Sequence, residues 1–151
     1  MAVEIRQRRD EDLDGCVAAL SAVHHGGGGY PTRWPDSPHR WLSPPDAART
    51  WVAVEGSAIV GHIMVRVGEH GGAEISRLFV APAAQGAGLA KALLAEARAY
   101  AADSGLTLTL QVTTGQDAAI ALYERTGWRR TGTVFGWTTP SGDVYLHQYT
   151  A

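Results

Sequence analysis

The stretch Gln85-Gly86-Ala87-Gly88-Leu89-Ala90 constrains the fold more than any other, because it joins a strand pattern to a helix pattern. Upstream, AEISRLFVAP (73–82) is rich in β-branched and aromatic residues and closes on Pro82, which reads as a strand and its end. Downstream, KALLAEARAYAA (91–102) is rich in Ala and Leu. Leu89, Leu93, Glu96, Ala97 and Tyr100 recur at the spacings of a helix face. A turn of small residues opening into a helix exposes backbone N–H groups at the positive end of the helix dipole. Such a turn suits a phosphate or pyrophosphate. Gly86 and Gly88 let backbone approach the anion because they carry no Cβ. Glycines in such a turn also serve packing alone, and on the glycines alone that plainer reading is favoured. The turn lacks the Gly-Lys-Ser/Thr of a Walker loop and the full Gly-x-Gly-x-x-Gly of dinucleotide folds.

A chain of 151 residues suits one domain, 1–151, whose core needs no disulfide or metal staple. Hydrophobic residues at 45% and charged residues at 19% fit a globular chain and argue against disorder. The net charge of −2 gives no broad basic footprint, so nucleic acid is not an expected partner. No apolar run approaches a membrane span, so no membrane partner is expected either. The opening MAVEIRQRRDED lacks a signal-peptide core. The single cysteine, Cys16, lies among Val17, Ala18 and Leu20 and reads as a small buried hydrophobe. Together these predict a cytoplasmic protein.

In chain order, VEIRQRR (3–9) alternates as a first strand, and Asp10 is the expected N-cap of a helix running to about His24. Residues 24–46 hold four consecutive glycines and five prolines, which predicts irregular structure with a short helix at Pro38–Leu42. TWVAVE (50–55) and AIVGHIMVRV (58–67) flank Gly56-Ser57 as an antiparallel hairpin. The 73–80 strand, reached through His70-Gly71-Gly72, extends the meander. LTLTLQV (106–112) follows the helix, and a strand–helix–strand step implies a parallel, right-handed crossover. Thr113 and Gln116 suggest a capping box before a short helix ending at Gly127. WRRTGTVFGWT and VYLHQYT close the chain as two strands. The expected fold class is α/β: a mixed sheet, antiparallel meander then parallel crossover, flanked by helices.

Two segments together carry a family resemblance. Gln85-x-x-Gly88-x-Ala90 resembles the acyl-CoA pyrophosphate loop of the GNAT N-acetyltransferase superfamily, which runs Arg or Gln, two residues, Gly, one residue, Gly or Ala. Gln116-Asp-Ala-Ala119-Ile-Ala-Leu122-Tyr123-Glu-Arg-Thr-Gly127-Trp128 is similar to that family's second signature, with Gln116 in place of Asn and Trp128 in place of Phe. The resemblance covers roughly residues 3–150.

It implies an acetyl-CoA-dependent N-acetyltransferase, with acetyl-CoA as co-substrate. The loop Gln85, Gly86, Ala87, Gly88, Leu89 and Ala90 is expected to hold the pyrophosphate, and Leu78, Phe79 and Val80 the thioester and pantetheine arm. A splay or bulge at that strand end would free the backbone groups. Leu78 and Val80 are then expected in the core and Phe79 on the other side. Gln116 is expected to contribute a cofactor hydrogen bond. Tyr123 falls at the family's general-acid position, where a phenol protonates the departing thiolate; on its helix alone a core aromatic is the better reading. Glu74 is expected either as a catalytic base, directly or through water, or as an exposed strand carboxylate, and Ser76 is a weaker candidate.

The acceptor pocket is expected in residues 24–46. Tyr30, Arg33, Trp34, His39 and Trp41 supply aromatic faces for a cation and a guanidinium for a carboxylate, unless Trp34 and Trp41 only pin the loop. The scattered histidines give no zinc spacing, so no metal is expected. A small-molecule or peptide amine both remain open as acceptor, and the C-terminal strands suggest a homodimer by analogy. Two alternatives stand beside the enzyme: a non-catalytic acyl-CoA sensor of the same fold, and a phosphate-loop nucleotide binder, which the missing Lys-Ser/Thr disfavours.

Overall fold

The computed structural model describes residues 2–68 and 71–151, so the His70 part of the expected 70–72 connection lies outside them. Seven strands form one sheet: β1 (Val3–Gln7), β2 (Ala47–Glu55), β3 (Ala58–Val67), β4 (Gly72–Val80), β5 (Thr107–Thr113), β6 (Arg129–Thr139) and β7 (Gly142–Thr150). Their order is β1-β2-β3-β4-β5-β7-β6. β4–β5 is the parallel pair and every other neighbouring pair is antiparallel. The parallel pair follows from the crossover through α3 (Leu89–Asp103), since a tight turn can join only antiparallel neighbours. The mixed sheet agrees with the expected class.

Strand alternation splits the core between the two sheet faces. On one face Trp51, Ala53, Ile63, Val65, Ala73 and Ile75 pack with Leu93, Leu94, Ala97 and Ala101 of α3, and with Tyr123 of α4 (Asp117–Arg125). On the other, Val52 and Phe79 pack with Cys16, Ala19, Leu20 and Val23 of α1 (Leu13–Val23), and with Leu42 just past α2 (Pro38–Trp41). Leu93 is fully buried, worth about 2 kcal/mol of transfer free energy. It sits where Gly61 thins β3: a Cβ on Gly61 would lie 3.1 Å from Leu93 Cδ1 and 3.2 Å from Ala53 Cβ.

β4 contains a bulge. His62 pairs with Phe79 and Met64 with Ser76, so Ile63 faces both Arg77 and Leu78. Arg77 takes φ 52 and is the one non-glycine with positive φ among the described residues. The inserted residue changes the strand's parity: Ala73 and Ile75, then Leu78 and Val80, all face the α3 core, while Phe79 turns to the α1 side. The expected orientations of Leu78, Phe79 and Val80 hold for this reason.

Local caps differ from expectation. Asp10–Asp12 form a short 3-10 turn, and α1 starts at Leu13, so Asp10 is not its N-cap. Asp12 takes the organising role instead, because its carboxylate reaches two donors at once. It accepts the Arg9 backbone N–H at 2.7 Å and the Arg6 guanidinium at 2.7 and 2.8 Å. Gln116 precedes α4 without a side-chain capping bond, so no Thr113–Gln116 box forms. Its N–H bonds the Thr113 carbonyl at 3.2 Å, and this backbone turn occupies the donor a capping side chain would have served. The glycine tract continues α1 as a wide turn, His24–Gly28, closed by left-handed Gly29. No helix among the described residues is long and apolar enough to cross a membrane.

Candidate active site

β4 and β5 pair at Gly72↔Thr107, Ala73↔Leu108 and Glu74↔Thr109, and then separate. β5 continues against β7 from Thr109 to Thr113. From Ile75 to Val80, the β4 edge towards β5 therefore has no strand partner, and a wedge opens in the sheet. The ladder phase identifies the free groups. The Ala81 N–H donates to the Val60 carbonyl at 2.8 Å, so by antiparallel alternation Phe79 faces β3, and Leu78 and Val80 present their N–H groups to the wedge.

The turn after β4 lies at the open end of this wedge. Gly86 and Gly88 take φ 87 and 78, a left-handed conformation that other residues adopt only with strain. Gly88 precedes α3 without any side-chain cap, and the first intrahelical bond is Ala92 N–H to Gly88 O at 3.1 Å. The N–H groups of Leu89, Ala90 and Lys91 thus have no partner inside the helix. Ala87 is exposed, and the Leu89 side chain is buried. Gln85 spends its donors on the turn itself: its side-chain amide donates to Val80 O at 3.1 Å and its N–H to Pro82 O at 3.4 Å.

Tyr123 is buried on α4 against Trp128 and Tyr149, with ring centroids 6.2 and 5.9 Å away. Glu124 helps hold α4 in place, accepting from the Tyr149 hydroxyl at 2.7 Å and from Arg130 at 2.8 Å. Burial first, and the nearby Tyr30 charge second, push the Tyr123 hydroxyl up to about 12. Burial also pushes Tyr30 up to about 12, against the pull of the Arg77 charge and backbone. Tyr30, from the loop after α1, reaches the end of β4 at Phe79. Tyr30 packs between Trp41 and Phe79, with ring centroids at 6.0 and 6.5 Å.

Glu74 sits where the wedge begins, beside Thr109, Gln111, Thr131 and Gln148 in a shallow hollow. The residue is exposed overall, yet the sheet face shields its carboxyl and raises its pKa, with the Arg66 charge opposing. Gln116 is exposed ahead of α4. Ser76 accepts from Arg77 at 3.0 Å. Trp34 packs on His24 and His25 at 5.4 and 5.7 Å, whereas the Arg33 side chain is 87% exposed and 3.9 Å from Asp36. Tyr30 is thus gathered into the site and Arg33 is not. His39 bonds Asp14 at 2.7 Å on the surface. Among the described residues, no group of three His, Cys, Asp or Glu side chains comes together as a metal site.

Three residues that the sequence reading passed over tie the site together. Arg77 donates to the Trp41 carbonyl at 3.1 Å and lies 3.9 Å above the Trp41 ring. Arg8 donates to the Leu42 carbonyl at 2.6 Å and to Ser43 Oγ at 2.9 Å. His62, fully buried, lies between them, with Nδ1 2.8 Å from the Arg77 carbonyl and Nε2 3.0 Å from Arg8. The available signal was a polar residue inside each of two apolar strands, His62 in AIVGHIMVRV and Arg77 in ISRLFV.

The model of the Acetyltransferase (GNAT) family matches residues 15–128. No curated protein matches the sequence significantly. Among solved structures, an N-acetyltransferase from Staphylococcus aureus Mu50 is similar at TM-score 0.83 and 20% identity, covering 100% of this chain and 98% of its own. The ribosomal-protein-S18-alanine N-acetyltransferase of Escherichia coli is similar at TM-score 0.79 and 20% identity, over 99% of this chain and 92% of its own. Arabidopsis thaliana NAA60, solved in complex with acetyl-CoA, is similar at TM-score 0.78 and 19% identity, over 99% and 98%. At these identities the likeness is one of fold.

Proposed function

The chain belongs to the GNAT acetyltransferase family, and we propose that it is an acetyl-CoA-dependent N-acetyltransferase that moves an acetyl group directly from the thioester to a primary amine. The observation that carries this reading is the wedge between β4 and β5, open beside the turn at 85–90. The residues fit the co-substrate. Left-handed glycines and uncapped helix N–H groups suit a pyrophosphate. The unpaired β4 edge offers hydrogen bonds to an amide-bearing arm and, at Leu78 or Val80, an N–H to the developing oxyanion.

Glu74, with its raised pKa, takes the proton that the amine loses as its nitrogen bonds the carbonyl carbon. As the carbon–sulfur bond breaks, Tyr123 gives its proton to the sulfur. Tyr30 and Trp34 form the acceptor side, Gln116 supports the co-substrate, and Gln85 holds the shape of the turn that receives it. The acceptor is a small-molecule or peptide amine, and the reaction takes place in the cytoplasm. The test follows CoA release from acetyl-CoA across amines, amino acids, antibiotics and peptides. Release with one acceptor supports the reading. Acetyl-CoA binding without release across the panel would assign the chain to a sensor.

A further inference from the structure

We infer that His62 is a positioning residue for acetyl transfer: it donates Nδ1–H to the Arg77 carbonyl, locks the β4 bulge and so aims the Leu78 N–H into the wedge. The inference rests on the transfer reading above.

A left-handed, non-glycine residue is strained and persists where its surroundings over-determine it. Arg77, at φ 52, is held in three ways. Its guanidinium donates to the Trp41 carbonyl and Ser76 Oγ, at 3.1 and 3.0 Å. The same group lies over the Trp41 ring. Its own carbonyl accepts from His62 at 2.8 Å. The tautomer follows from the partners. A guanidinium only donates, so His62 Nε2, 3.0 Å from Arg8, must accept. The ring proton therefore sits on Nδ1 and points at the Arg77 carbonyl. The imidazole lies flat on Phe79, 10° between planes and 5.2 Å between centroids, so it cannot swing away. Arg8 is itself anchored on Leu42 and Ser43. The peptide unit that His62 grips is the one joining Arg77 to Leu78, whose N–H faces the wedge.

The test uses acetyl-CoA labelled with carbon-13 at the thioester carbonyl. Isotope-edited infrared spectra are compared for wild type, His62→Phe and His62→Asn, with affinity from calorimetry and folding from circular dichroism. Phe keeps the stack on Phe79 but cannot donate; the Asn amide nitrogen stands close to the Nδ1 position. The expected result is a bound carbonyl shifted to lower frequency in wild type, a shift mostly lost in His62→Phe at near-unchanged affinity, and its recovery in His62→Asn. A merely structural histidine would move stability without moving the carbonyl band. A full wild-type shift in folded His62→Phe overturns the inference and leaves the transfer reading standing, as does wild-type binding without any shift. Wild type that does not bind acetyl-CoA overturns both. If His62→Phe does not fold, His62→Gln decides: its amide stands nearer the Nε2 position, away from the Arg77 carbonyl, so the shift should be mostly lost, and an undiminished shift overturns the inference.

Discussion

Glu74 and Thr109 are the last residues at which β4 and β5 face each other, and beyond them the strands part. Thr109 closes this end, its hydroxyl donating to the Ala73 carbonyl at 3.2 Å. Ala73 and Ile75 point to the α3 face, where Tyr123 also packs, so Glu74 lies on the opposite face. The proposed base and acid thus reach the wedge from opposite sides of the sheet. An amine arriving on one side can lose its proton without contacting the phenol that serves the sulfur.

Glu74→Gln should lower kcat/KM for the amine by roughly a hundredfold. Shielding by the sheet face raises the Glu74 pKa, so the wild-type rate should fall on the acid side at higher pH than for an ordinary glutamate. The pH–rate profile checks this, and a variant with the wild-type profile would limit Glu74 to a structural role.

Tyr123→Phe should slow kcat by about tenfold or more while the acetyl-CoA dissociation constant stays near wild type. With its pKa at about 12, the phenol remains a proton donor throughout the neutral range, so it should contribute no basic limb there. Steady-state kinetics beside calorimetry separate the two quantities.

Gly88→Glu should abolish acetyl-CoA binding and leave the fold in place. The site has open space around a Cβ, but φ 78 imposes a left-handed penalty of about 1–2 kcal/mol. The new carboxylate also stands where phosphates are expected. Calorimetry should show no heat of binding, and thermal unfolding should remain cooperative at a modestly lower Tm.

Stability should fall as the solution is acidified below about pH 6.5. Burial depresses His62 from 6.5 to about 3, so between these values the unfolded chain binds a proton that the folded chain refuses. Its stability contribution is present above 6.5 and lost on descent towards 3. Asp12, held at about 2 by its hydrogen bond with Arg6, adds a second loss below its ordinary 3.8. Urea unfolding across this range should show a slope that His62→Phe largely removes above pH 4; an equal slope in that variant would reassign it to other groups.

Much of the fold was readable because its determinants are local. Alternation marked β1, the Gly56-Ser57 turn marked the β2–β3 hairpin, and helical spacing marked α3. What escaped depends on pairing across the chain. Asp10 and Asp12 are equivalent as capping residues in sequence, and only Arg6 on the neighbouring strand selects Asp12. Arg33 looked like a carboxylate ligand but lies in solvent, while Arg77, a polar residue within an apolar strand, carries the bulge. A left-handed arginine leaves no compositional mark as a glycine does, and a buried histidine reads as incidental until its two partners are in place.

The wedge has a mechanical corollary. The sheet is two half-sheets, β1–β4 and β5-β7-β6, joined at one short parallel junction. A bound pantetheine arm would act as a stave between them, a strand-like element supplied by the substrate. Saturating acetyl-CoA should therefore slow amide hydrogen exchange at Leu78 and Val80 on one half-sheet, and damp the opening of the other about the Glu74–Thr109 junction. On the proposed reading, the protein would complete its own architecture only while it holds its co-substrate.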